Sequence, residues 1–196
     1  DVLLNNAGGA NKTKQITIEG LEKTFATNQM NYFVLSTELL EIISESNDGR
    51  IVNVASNAHI GAEVDYENIN SEKNFSAWTS YCVSKLMNIM FTYQLSSIQD
   101  KVSVNVLHPG FVDTNIAGNE GNFIKYIVKL GAKMFARTVD SGADSSIYLS
   151  TSDEVQNVSG KYFFKCKEIK SSRASYNKED WQKVWDLCNE YKIKLI

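Results

Sequence analysis

Apolar residues along this chain follow two alternating rhythms. Short, nearly continuous apolar runs at 1–6 (Val2, Leu3, Leu4), 50–55 (Ile51, Val52, Val54), 102–107 (Val102, Val104, Val106, Leu107) and 161–164 read as buried strands. Between them lie stretches of helical period at 18–46, 78–98, 141–150 and 179–191. The first of these carries apolar Leu21, Phe25, Met30, Phe33, Val34, Leu39, Leu40 and Ile43, and Asn47-Asp48-Gly49 stops it. Strands apolar on both faces and separated by helices predict a doubly wound, mostly parallel α/β sheet covered on both sides. No repeat or linker interrupts residues 1–196, which read as a single domain.

Open sheets of this kind bind ligands beyond the carboxyl ends of their strands. Three of those ends carry the chain's most distinctive polar sequences: Asn5-Asn6-Ala7-Gly8, Ala55-Ser56-Asn57 and His108-Pro109-Gly110. The site is expected there.

Composition narrows the function without choosing it. Of 196 residues, 43% are hydrophobic and 22% charged, ordinary for a soluble globular protein. A net charge of -3 leaves no electrostatic footprint for nucleic acid. No apolar run approaches the roughly 20 residues that cross a bilayer, and the first residues do not read as a signal peptide. Cys82, Cys166 and Cys188 are far apart and lack metal-type spacing. They read as reduced thiols, so no metal site and a cytoplasmic location are expected. One stretch qualifies this: Lys125, Lys129, Lys133 and Arg137 repeat every four residues between Ile124, Ile127, Val128, Met134 and Phe135. Such a helix either covers a substrate or lies on an anionic membrane surface, which would put the chain on the cytosolic face of an internal membrane.

Tyr81-Cys82-Val83-Ser84-Lys85 places a phenol and an ammonium four residues apart, on one face of a helix. A phenol titrating near 10 is a poor acid or base at neutral pH, and a nearby cation lowers its pKa. Reduction of a carbonyl needs such an acid, because a proton must reach oxygen as hydride reaches carbon. By itself the spacing recurs by chance.

Its company is more specific. Asn5-Asn6-Ala7-Gly8, Thr27-Asn28, Ser56 closing the 50–56 strand, Tyr81 with Lys85, and Pro109-Gly110 followed by Thr114 stand in the order of five motifs of the short-chain dehydrogenase/reductase family, which the chain resembles along nearly its whole length. His108-Pro109-Gly110, Ser56 with His59, the long 57–80 segment and Ser159-Gly160-Lys161-Tyr162-Phe163 resemble its retinol-dehydrogenase-like branch. Asn31 departs from the glycine common in the family after its tetrad asparagine. The resemblance implies a Rossmann-like fold and an NAD(P)(H)-dependent oxidoreductase interconverting a hydrophobic carbonyl, such as a retinal-like aldehyde or ketone, and its alcohol. NADP(H) is the favoured cofactor and NAD(H) the alternative.

The same resemblance implies roles. Tyr81 is the general acid for reduction and base for oxidation. Lys85 lowers its pKa and holds the nicotinamide ribose hydroxyls, Ser56 binds the substrate oxygen, and Asn28 positions a water in the proton relay. Asn5, Ala7 and Gly8 lie along the adenosine side of the cofactor. Pro109, Gly110, Val112 and Thr114 surround the carboxamide. Plain structural readings stand beside these. Asn28 can bond a neighbouring loop, Asn5 can tie strands together, Ser56 can end a strand, Thr114 can cap a helix, and His59 is a loop residue. A homodimer through the helices at 18–46 and 78–98 is also expected from the resemblance.

Neither G-x-G-x-x-G nor T-G-x-x-x-G-x-G occurs in the chain. The family's first βαβαβ segment, with its phosphate loop, is therefore expected to be lacking, leaving a partial, catalytic part of a Rossmann-like domain. Strand 2–5 would then be an apolar sheet edge, and the isolated chain is expected to bind dinucleotide poorly and to be inactive. The competing reading is a non-catalytic scaffold or subunit of the same family with a truncated cofactor site.

Overall fold

The structure, a computed structural model, describes residues 1–110 and 139–195. Five strands, β1 (Val2–Asn5), β2 (Arg50–Val54), β3 (Ser103–Leu107), β4 (Tyr162–Phe164) and β5 (Lys167–Ile169), form one sheet in the order β1-β2-β3-β4-β5. All neighbours are parallel except β4 and β5. Register pairs Asn5 with Asn53 and Val54 with Leu107, so the ends of β1, β2 and β3 reach a common rim. Two-faced burial explains the central strands. Val52 and Val54 pack with Leu107, Leu149, Val155 and Phe163 on one side, whereas Ile51 and Val104 join the opposite core. At the edge, Val2 and Leu4 of β1 are exposed, the apolar edge the strand pattern predicts.

Around the sheet stand α1 (Lys23–Phe25), α2 (Asn31–Glu38), α3 (Leu40–Ser44), α4 (Ala77–Ile98), α5 (Val139–Thr151) and α6 (Lys178–Leu195). Leu149 of α5 packs on the Val52/Val54 face, and buried Arg50 donates from Nη1 to the Leu149 and Ser152 carbonyls, satisfying acceptors at the end of that helix. The remaining helices share the other face. Ser76 caps α4, whose residues from Ser84 to Leu95 are all buried because the sheet lies on one side and α6 on the other. Trp185 of α6 completes the seal, 5.1 Å from Phe33 and 6.1 Å from Phe91 between ring centroids.

The long first helix expected from the sequence is corrected. Residues 16–22 form a turn closed by an Ile16–Glu22 bridge, with Gly20 at φ 84° and Ile18 99% exposed. The helical run starts only after Glu22, whose carboxylate accepts from Thr24 and Phe25 N–H at 3.0 Å each. It then passes through a π turn, Ala26–Met30, before α2.

Strand β5 has no counterpart in the sequence reading, because every one of its residues is exposed and Lys167 and Glu168 are charged. Its two-residue turn, Lys165 and Cys166, holds φ of 51° and 59°, a left-handed pair that normally calls for Asn-Gly. Replacing the pair, Lys165→Asn with Cys166→Gly, is expected to stabilise the chain by about 1–2 kcal/mol, read from the midpoint of urea unfolding. A midpoint that stays or falls would show that no strain is stored in this turn. The basic stretch 123–137, with Val112 and Thr114, lies outside the described residues. Among the described residues no helix is long and apolar enough to cross a membrane.

Candidate active site

The rim collects the loop after β1, the turn after β2 and the first turns of α4. Asn28 sits within the π turn, a helix defect often found at functional sites. Its side chain is fully buried and pins the β1 loop: Oδ1 accepts from Gly9 N–H at 2.8 Å, and Nδ2 donates to the Gly9 carbonyl and to Ser84 Oγ, both at 2.9 Å. Ser84 in turn donates to the Tyr81 carbonyl at 2.7 Å. The main-chain carbonyl of Asn28 accepts from Asn88 Nδ2 at 2.8 Å. Of the two readings of Asn28, the loop bond is present, and one lone pair of its carbonyl is taken by protein.

Ser56 ends β2 and caps the 3-10 turn Asn57–His59, accepting from Ala58 N–H at 3.2 Å. Its hydroxyl also lies close enough to the Tyr81 phenol to influence it. Burial raises the Tyr81 pKa above its ordinary value, the Ser56 hydroxyl pulls it back down, and the neighbouring Cys82 pushes it up. Trp78, one turn earlier on α4, lies 6.1 Å away between ring centroids. Lys85, one turn later, is only 4% exposed. Its Nζ donates to the Val54 carbonyl at 2.8 Å and lies 5.9 Å from the centroid of the Tyr81 ring. Burial brings the Lys85 pKa down to about 7. Phenol and ammonium therefore meet as their spacing predicts, yet desolvation is the larger influence on each, opposing charge on both.

Tyr32 belongs to the same cluster and is absent from the sequence-derived set. Its ring lies 5.3 Å from Lys85 Nζ, and its hydroxyl donates to the same Val54 carbonyl at 3.4 Å. Position i+4 from Asn28, on the same helix face, is the signal that could have found it. Burial, and then the nearby Tyr81, raise its pKa far above the ordinary phenol value.

The expected cofactor residues divide. Ala7 and Gly8 are exposed on the rim, and a Cβ built at Gly8 would come within 2.9 Å of Asn28 Oδ1 and 3.3 Å of Lys85 Nζ. The absent side chain keeps open a cradle beside an ammonium with N–H groups to spare, which fits a ligand hydroxyl. Pro109 and Gly110 are partly buried after β3, Gly110 at φ 84° donating to His108 Nδ1 at 3.2 Å. Asn5 behaves differently. It is buried, and its Nδ2 donates to Ser36 Oγ at 3.0 Å and to Asn53 Oδ1 at 2.8 Å, tying β1 to β2 and α2. Asn53 Nδ2 continues the chain to Thr92 Oγ1 at 2.9 Å, and Thr92 to the Asn88 carbonyl at 2.8 Å. The strand-tying reading of Asn5 is the one its contacts express.

A family model described as "short chain dehydrogenase" matches residues 1–124. Retinol dehydrogenase 14 of Homo sapiens is 36% identical over all of this chain and 59% of its own length. Polyprenol dehydrogenase of Homo sapiens is 32% identical over 94% of this chain and 58% of its own. The chain thus spans less than two thirds of these curated relatives. Among solved structures, an uncharacterized protein from Mycobacterium Paratuberculosis superposes with a TM-score of 0.75 at 24% identity, over 98% of this chain and 67% of that one. A gluconate 5-dehydrogenase from Burkholderia cenocepacia J2315, solved with NADP and tartrate, gives 0.60 at 18% over 84% and 62%. These two likenesses establish the α/β Rossmann-like fold. With a family match across more than half its length, and with such relatives, the chain belongs to the short chain dehydrogenase family and is retinol-dehydrogenase-like within it.

Proposed function

We propose that this chain is the catalytic part of an NAD(P)(H)-dependent oxidoreductase that interconverts a hydrophobic carbonyl, a retinal-like aldehyde or ketone, and its alcohol. The observation that carries the reading is the meeting of Ser56, Tyr81 and Lys85 at one rim of the sheet, with the Ser56 hydroxyl close enough to influence the Tyr81 phenol and the Lys85 ammonium 5.9 Å from its ring centroid. A bound nicotinamide supplies or accepts the hydride. In the direction of reduction, Ser56 orients the carbonyl oxygen and Tyr81 Oη gives it a proton; in oxidation Tyr81 Oη takes that proton back. Lys85, with Nζ facing the Gly8 cradle, holds ribose hydroxyls and favours the phenolate when its ammonium is charged. Asn28 fixes the Gly9 loop against α4 and offers its remaining carbonyl lone pair to a relay water. The family resemblance assigns Pro109, Gly110, Val112 and Thr114 to the carboxamide; the last two lie outside the described residues.

NADP(H) is the preferred form in this reading, supported by solved relatives of like fold that hold NADP. The sequence of the basic stretch 123–137 reads as a substrate cover or as a segment that meets an anionic lipid surface. The test is turnover of retinal by the whole protein with NADPH and with NADH, followed by loss of nucleotide absorbance and by appearance of retinol. Faster reduction with NADPH is the expected result. No reduction of retinal or other apolar aldehydes with either nucleotide would end the proposal.

A further inference from the structure

His59 follows Ser56 by three residues, at the end of the 3-10 turn that Ser56 caps. Its ring is 1% exposed, and both ring nitrogens are engaged. Nδ1 lies 2.7 Å from the Ser56 carbonyl oxygen, and Nε2 lies 2.9 Å from the main-chain nitrogen of Ser172. A main-chain N–H can only donate, so Nε2 accepts; the proton sits on Nδ1 and is donated to Ser56. The tautomer follows from the two partners.

The far partner belongs to the segment that leads into α6. Ser172 precedes the 3-10 turn Arg173–Tyr176, which is anchored where Trp181 Nε1 donates to the Ser175 carbonyl at 2.6 Å and where the Tyr93 and Ser171 hydroxyls meet at 2.8 Å. Tyr162 of β4 stands edge-on to the imidazole at 5.3 Å. The ring is therefore a strut between two segments 113 residues apart, and one end of it is the backbone of the serine whose hydroxyl influences Tyr81.

We infer that His59 is a positioning residue: its neutral ring fastens the Ser56 main chain to the Ser172 amide and so keeps the Ser56 hydroxyl beside Tyr81. The importance of that placement for turnover rests on the function proposed above, whereas the strut does not. Burial agrees with the assignment, since it lowers the His59 pKa and favours the neutral ring that Nε2 needs as an acceptor.

The test is made on the chain itself, without nucleotide. Tyr81 titration is followed by NMR of ring-labelled tyrosine, and exchange of the Ser172 amide with deuterium is followed in parallel. His59→Phe removes both bonds and keeps the ring's bulk. His59→Gln keeps an acceptor near the Nε2 position, and His59→Asn keeps a donor near Nδ1. Phenylalanine is expected to speed Ser172 exchange at least about tenfold and to raise the Tyr81 midpoint by at least about half a pH unit, because the Ser56 hydroxyl that lowers it is no longer held in place. Glutamine is expected to restore protection at Ser172, and asparagine to restore the Tyr81 midpoint. If Ser172 is released while the Tyr81 midpoint does not move in any variant, the ring is merely structural and the inference falls. The glutamine and asparagine pair decides the matter if phenylalanine prevents folding. Restored NMR signatures alongside a wild-type protein that turns over no carbonyl would sink the proposed function and leave the strut standing.

Discussion

Tyr81→Phe in the whole protein is expected to lower hydride transfer by a factor of about 10²–10⁴, the usual contribution of a positioned general acid or base. The change deletes one oxygen and nothing else. The ring keeps its place beside Trp78 and the Lys85 ammonium, so nucleotide affinity is expected to stay within about twofold while kcat collapses. Single-turnover reduction of an apolar aldehyde, with nucleotide binding measured separately by fluorescence, distinguishes the two effects. Unchanged turnover would remove Tyr81 from the chemistry. A parallel loss of nucleotide binding would assign the hydroxyl to the cofactor site instead.

The second large effect is on stability and comes from Lys85. An unfolded lysine titrates near 10.5, whereas burial brings this one down to about 7. Between those values the unfolded chain binds more protons than the folded one, so stability rises with pH from about 7 to about 10.5. Below about 7 the folded chain carries the whole cost of a buried ammonium, on the order of 5 kcal/mol. Lys85→Met keeps most of the stem and removes the charge. It leaves the Val54 carbonyl to Tyr32 alone, a loss of about 1 kcal/mol. The variant is therefore expected to melt about 10 °C higher at pH 6 and to lose the rise in stability across the alkaline window. Catalysis would fall in the same protein, since the ammonium that favours the phenolate is gone. Thermal unfolding of both proteins from pH 6 to 10 is the measurement. Parallel curves would show that Lys85 carries no such cost.

Much of this architecture is legible in one dimension because it depends on local periodicity. Strands β2 and β3 are covered on both faces, which forces near-continuous apolar residues. The 22-residue α4 puts Tyr81 and Lys85 on one face through its pitch alone. Register then makes the rim almost obligatory, since parallel neighbours paired from Arg50 and Ser103 must end together at Val54 and Leu107.

What periodicity does not encode was decided by contacts between distant segments. The helix at 18–46 starts late because the Glu22 carboxylate turns back onto Thr24 and Phe25 while its own amide donates to Asn70 at 2.9 Å. Strand β5 is exposed throughout and exists only because β4 offers it an edge. Trp185 packs against Phe91 from more than ninety residues along the chain, a contact that no local period announces. His59 reads as an ordinary loop residue until Ser172 arrives. Composition and spacing thus determined which groups this protein owns and which faces they share. Folding decided how dry each group became, and dryness outweighed the charge beside it in setting the acidity of Tyr81 and Lys85, because desolvation depends on every atom nearby while a motif names only two.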